Sequence, residues 1–114
     1  MPGLDPALEN DARAMLDTLP QSMDFRWVGR DADLVLQGDD DGFFSGATFE
    51  LLCKDVVYVE CPARWDGKSI RLANDTERAY LATRCEMTAK ALALRIVDDE
   101  RRIYFVVCGA LQRS

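Results

Sequence analysis

The sequence predicts an α+β fold dominated by antiparallel strands. About seven strands form a curved sheet, a sandwich or a partly closed barrel, with an N-terminal helix and one short internal helix. Three observations predict it. The stretch from Phe43 to Cys61 is the densest run of strand formers in the chain and alternates in polarity with a period of two. Leu92–Val97 and Ile103–Cys108 match in polarity on both faces when laid against each other. A long amphipathic pattern at helical spacing is confined to residues 5–19.

The N-terminal helix has its start signal in Asp5-Pro6, a capping residue followed by a proline whose missing N–H costs nothing at the first helical position. Leu8, Ala12, Met15, Leu16 and Leu19 then form the apolar stripe, and Pro20 ends it. Its stripe is expected to cover one face of the sheet. Strand patterns follow at Met23–Val28, closed by Gly29, and around Leu34 and Leu36. Asp39-Asp40-Asp41-Gly42 breaks the pattern as a turn.

In the central stretch, Ala47, Phe49, Leu51 and Cys53 share one face, and Val57, Val59 and Cys61 share another. A hairpin with the loop Lys54-Asp55-Val56 sets Phe49 opposite Cys61, Leu51 opposite Val59 and Cys53 opposite Val57. That register gives one continuous apolar face and puts Glu50 opposite Glu60. Arg64-Trp65-Asp66-Gly67-Lys68 reads as a turn, because Asp-Gly favours positive φ. Ile70 and Leu72 make a short strand. Asn74 and Asp75 are both suitable caps for a helix through Glu77, Leu81 and Arg84 that ends near Cys85. Residues 86–91 are left open between helix and strand.

The terminal hairpin, with a two- or four-residue loop centred on Asp99-Glu100, sets Ile96 opposite Ile103, Leu94 opposite Phe105 and Leu92 opposite Val107. The segment Ile103–Cys108 is apolar on both faces and is expected to be a central, covered strand; Gly109-Ala110-Leu111 continues or ends it.

At 114 residues the chain reads as a single domain, residues 1–114, with a β-rich body over 22–112. Its net charge is −6. Binding to phosphate backbones or anionic membranes needs an excess of Lys and Arg, so neither nucleic acid nor membrane is an expected partner. No apolar run approaches the ~20 residues of a spanning helix. The opening MPGLDPALENDA lacks a basic region followed by an apolar one, so a cytoplasmic location is expected. The four cysteines, Cys53, Cys61, Cys85 and Cys108, form no C-x-x-C pair, and three lie within apolar strand patterns, which suits reduced thiols.

The chain has no histidine. That removes His-activated nucleophiles and His ligands, so no catalytic residue, metal or cofactor is expected. The P-loop-like ending Gly67-Lys68-Ser69 has Pro62 where the phosphate loop needs its first glycine. An EF-hand aligned on Gly42 puts Gln37 at the first ligand position and Thr48 where a bidentate Glu is required. The pair Arg26 and Arg30 lacks the D/N-x-S-x-x-G companion that completes a cyclic-dinucleotide site of the PilZ type.

The expected function is that of a small acidic protein-interaction module without catalysis, an adaptor or an immunity-type inhibitor, whose partner has a basic surface. The expected partner-binding residues are Asp39, Asp40 and Asp41 in the acidic turn, with Trp65 and Asp66 in the second turn, since Trp is enriched at contact sites. The alternative is a small-molecule-binding β-barrel or a carboxylate-dependent enzyme, with Tyr58, Arg95 and Tyr104 on strands. A homodimer through an unpaired strand edge is a third reading.

Overall fold

The computed structural model describes residues 3–19, 24–30, 32–39 and 49–113, with backbone placement only at Arg30, Asp39, Phe49 and Lys68. Two helices and eight strands are seen: α1 (Pro6–Leu16), β1 (Asp24–Arg30), β2 (Asp33–Asp39), β3 (Phe49–Lys54), β4 (Tyr58–Glu60), β5 (Arg64–Leu72), α2 (Asp75–Leu81), β6 (Leu92–Asp98), β7 (Ile103–Cys108) and β8 (Ala110–Arg113). Each strand pairs antiparallel with its neighbours, in the order β4-β7-β6-β5-β1-β2-β3-β8.

Both helices begin where the local chemistry dictates. The Asp5 carboxylate accepts from the Ala7 N–H at 2.9 Å, with Pro6 in the first turn. α1 stops at Leu16, and tighter bonds from Thr18 and Leu19 to the carbonyls of Met15 and Leu16 finish it, so the expected end at residue 19 is a turn. α2 opens on a full capping box: Asn74 accepts from the Glu77 N–H at 2.8 Å, and Glu77 accepts from the Asn74 N–H at 2.9 Å.

The sheet is curved and sandwich-like because three strand segments pass from one half of it to the other. One half holds β1, β2, β3, β8 and the start of β5. The other holds the rest of β5 with β6, β7 and β4. β5 pairs with β1 over Arg64–Asp66 and with β6 from Gly67 onward, with a register shift between Gly67 and Ser69. β3 leads on toward β4, and β7 into β8 through Gly109, and Gly109 N–H to Lys54 O at 2.8 Å extends the β3–β8 pairing to the point where both segments change halves. Strands that bend from one half to the other make corners of this kind.

Three sequence expectations are corrected here. First, β3 and β4 are not a hairpin. β3 lies between β2 and β8, and β4 lies beside β7. Asp55 adopts φ 54°, its N–H donates to the Asp33 carboxylate at 2.9 Å, and Val56 N–H donates to Ala32 O at 3.0 Å. Those contacts redirect the chain without reversing it. Glu50 accordingly pairs with Gln37, not with Glu60. Second, Arg64–Lys68 is strand, not turn. Gly67 serves close approach: a Cβ there would lie 1.9 Å from Cε2 of Phe25. Third, the β6–β7 hairpin forms with a register one residue away from the expected one, pairing Ile96 with Tyr104, Leu94 with Val106 and Leu92 with Cys108. Its loop has an odd number of residues because Arg101 takes φ 66°. The Asp98 carboxylate holds it, accepting from Arg102 N–H at 2.8 Å and Tyr104 O–H at 2.9 Å.

The main core draws on both halves of the sheet and on α1: Leu36, Leu51, Cys53, Leu94, Ile96 and Val106 are fully buried there, with Ala12 and Leu16 from the helix. A smaller cluster lies under α2, where Leu81 and Met87 cover Ala93, Phe105 and Val107. β6 and β7 are therefore buried on both faces, as their apolar runs required. Residues 86–91 are neither helix nor strand; Met87 and Ala91 are buried, and Arg78 holds the segment through the carbonyls of Thr88 and Ala91.

Candidate functional site at the β4 edge and the α1 groove

Of the five residues singled out from the sequence, Asp40 and Asp41 lie outside the described residues, and Asp39 ends β2 with its backbone opposite Asp24. Trp65 is on β5 and only 7% exposed. Its ring is stacked between Phe25, at 5.4 Å, and Trp27, at 5.7 Å, and its indole N–H has no acceptor among the described residues. It is a core residue. Asp66, next along the strand, is exposed, and its carbonyl accepts from Asp99 N–H at 3.0 Å. Strand alternation thus sends Trp65 and Asp66 to opposite faces, and they do not form one surface.

The exposed apolar residues gather elsewhere. Val57 is 59% exposed, Ile103 46%, Val59 45%, Val28 40% and Tyr80 38%. Val57 and Val59 lie at β4 on the face of Val106, whereas Tyr80 and Ile103 lie on the opposite face with Phe105 and Val107, and Val28 is on β1. Val59 is in β4, and Val57 enters it, donating to Val107 O at 2.9 Å. Ile103 opens β7, the partner of β4. Tyr80 of α2 donates to Glu60 of β4 at 3.1 Å. Val28 lies on β1 opposite Val35; its neighbour Trp27, on the other face, bonds Ala63 O through its backbone N–H at 2.9 Å and Cys61 Sγ through its indole N–H at 3.3 Å. Among the described residues β4 has a strand partner on one side only.

Glu60 is the polar group on the α2 face of β4, the face opposite Val59. It accepts from Tyr58 O–H at 2.5 Å as well as from Tyr80. The hydrogen bond to that carboxylate, with burial behind it, pushes the Tyr58 phenol up to about 12. Tyr80 packs on Phe105 at 5.8 Å, and the Arg84 guanidinium lies 5.5 Å above its ring. Cys61, at the end of this surface, is a poor nucleophile: burial pushes its thiol up to about 11 against the opposing pull of the Trp27 indole.

A groove of about 720 Å³ lies between residues 3–4, α1, the end of β5 and the start of α2. Leu4, Leu16, Ile70 and Leu72 give it an apolar wall, and charged residues of both signs line the rest. Arg71 beside it bonds Leu72 O at 2.7 Å and Glu77 at 3.2 Å. Arg95 Nε, from β6, sits 2.7 Å from the other Glu77 oxygen, an ion pair by distance that lies off the line of a hydrogen bond. Glu77 thereby ties β5, β6 and the cap of α2 together. Burial lowers the Arg78 pKa, while Asp75 and Glu9 pull it back up.

Neither surface was legible as a site. Val57 and Val59 read as core positions in a strand pattern, and only the failure of β3 and β4 to pair leaves them bare. Among the described residues no group of three His, Cys, Asp or Glu side chains converges as a metal site would require, and no helix is long and apolar enough to cross a membrane. Comparison with protein-family models, curated proteins and solved structures found no match.

Proposed function

We propose that the protein is a cytoplasmic docking module of the adaptor or inhibitor type, which binds a partner polypeptide along β4 and performs no chemistry of its own. One observation carries this reading: two exposed valines, Val57 and Val59, share one face of a strand edge that lacks a second partner among the described residues. Proteins ordinarily blunt such an edge with Lys, Pro or an inward charge. Here Val59 and the entering Val57 are both exposed. Scattered apolar residues need no explanation, but a contiguous group at an edge marks an interaction surface. The matching occupant is an extended segment that adds a strand to β4, its backbone supplying ladder bonds and alternate side chains reaching the valines and the Tyr80–Glu60 shelf.

The partner segment is basic. With a net charge of −6 the chain attracts cations at long range, and two copies of it repel, which argues against β4 pairing with itself. The lack of histidine and the raised thiol pKa of Cys61 both weigh against a catalytic role at this surface.

The test is selection of basic, strand-forming peptides from a displayed library, followed by hydrogen exchange on the complex. The reading expects a selected peptide to protect the outward amides of Tyr58 and Glu60, since Val57 N–H is already bonded to Val107 O, and its affinity to fall with rising salt. Selected peptides that protect some other segment, or a concentration-dependent dimer in which these amides are already protected, would remove the proposal.

A further inference from the structure

A strand added to β4 presents its side chains alternately to two unlike surfaces. Val59 lies opposite Val106 on the core face, and Val57 shares that face. Tyr58 and Glu60 lie opposite Val107 and Phe105, on the face that α2 covers. The first surface is apolar and exposed; the second ends in a carboxylate.

Glu60 is partly buried, and no Lys or Arg among the described residues closes an ion pair with it. Its two hydrogen-bond partners are phenols, and both favour the same oxygen. Tyr58 O–H donates to Oε2 at 2.5 Å, and Tyr80 O–H donates to Oε2 at 3.1 Å. Oε1 is left with the long 3.5 Å arm of the Tyr80 hydroxyl. A carboxylate has about four acceptor positions, so this one is held in place with much of its capacity unused. Tyr80 comes from the β7 side, where it packs on Phe105, and Tyr58 from along β4 itself. No contact to Glu60 among the described residues comes from the free side of β4. The Arg84 guanidinium lies 5.5 Å above the Tyr80 ring and does not pair with Glu60.

We propose that Glu60 selects one basic residue of the strand that docks on β4. The partner segment then alternates, with apolar side chains opposite Val57 and Val59 and Lys or Arg opposite Glu60. This rests on the docking reading of β4 and adds to it the identity of one position. A residue directly opposite on an added strand shares the face of Glu60, with its Cβ about 5 Å away. From there Lys or Arg lays its apolar stem beside Tyr58 and sets its charge on Oε1. A charge at a strand edge can also serve to keep other strands away. Here the carboxylate is fixed by two phenols and drawn partly out of water, which suits a group that binds.

Strand-forming peptides selected from a displayed library with no basic residue fixed supply the probes. Hydrogen exchange places each on β4 through protection of the Tyr58 and Glu60 amides. Selected peptides are expected to share one basic position. Affinity is then measured at low salt for a Lys peptide and its Lys→Gln form, each against the parent protein and Glu60→Gln. Either change alone is expected to weaken binding by about fivefold, and both together by no more than one. The Gln peptide is expected to bind both proteins within about twofold, which also shows that the variant is folded. The proposal is overturned if basic residues show no preferred position, if the two losses multiply, or if Glu60→Gln binds the Lys peptide as tightly or more tightly, as removal of a repelling guard would. In each of those cases the docking reading stands, because the peptide is still seen on β4. Peptides that leave the Tyr58 and Glu60 amides unprotected remove both.

Discussion

β7 and β4 lie side by side and are nearly alike in composition, one reading IYFVVC and the other, with its entry, VVYVE. Their surroundings are opposite. Val106, Val107 and Cys108 of β7 are at most 1% exposed, whereas Val57 and Val59 are 59% and 45% exposed. The difference is what covers them. The main core closes one face of β7, and Leu81, Met87 and Ala91 close the other. At β4, Tyr80 of α2 meets Glu60 on one face, and the other face, which carries Val57 and Val59, is left exposed. An apolar strand becomes core or contact surface according to where the covering layer stops, and composition alone does not say which.

Substitution breaks this comparison most sharply at the covered end. Leu94→Ala, at a fully buried position paired with Val106, is expected to cost about 2–5 kcal/mol. The matching change Val59→Ala is expected to stay within about 0.5 kcal/mol; urea unfolding of both proteins makes the measurement, and equal losses would mean that β4 is core. Gly67→Ala follows in size. A methyl group 1.9 Å from the Phe25 ring must displace that ring from the Trp65 stack, at a cost of about 1–3 kcal/mol, visible as a lower Tm and a changed tryptophan emission. Smaller again is Glu77→Gln, which weakens the α2 cap and two partly exposed ion pairs for about 1 kcal/mol.

The smallest effect is in pH. The Tyr58 phenol ionises near 12 in the folded protein, against an ordinary value near 10. A raised phenol pKa means that the unfolded chain gives up this proton first. Its contribution to stability is therefore complete below about pH 10 and is lost as the pH climbs toward 12. Tyrosinate absorbance is expected to show one late-titrating phenol, and Glu60→Gln to bring it back toward the ordinary range.

What could be read from the residues in advance was local. Asp5-Pro6 and the Asn74/Glu77 pair announced both helices because a cap lies within three residues of what it caps. The β6–β7 pairing was legible because both of its faces match in polarity, yet its register slipped by one, since nothing in Asp99-Glu100-Arg101 signals a left-handed arginine. The errors came from distant contacts. Asp33 caps the Asp55 N–H from 22 positions away, and that bend, which separates β3 from β4, has no signature in the central stretch itself. Asp66-Gly67 resembled a turn because the demand for glycine comes from Phe25 on another strand. Alternation along Val57 and Val59 revealed a shared face, but Val59 lies opposite Val106 on the side away from α2, and how far the core layer extends over it is a property of the packed chain.

The central claim, that β4 is a docking edge and not an unfinished part of the core, is tested most directly by the double substitution Val57→Lys and Val59→Lys. Denaturant unfolding and binding of a β4-selected basic peptide are measured on the same protein. The account predicts stability within about 1 kcal/mol of the parent, since both sites are exposed, together with loss of at least about a hundredfold in peptide affinity. Unfolding of the variant, or peptide binding that survives the two charges, would contradict it.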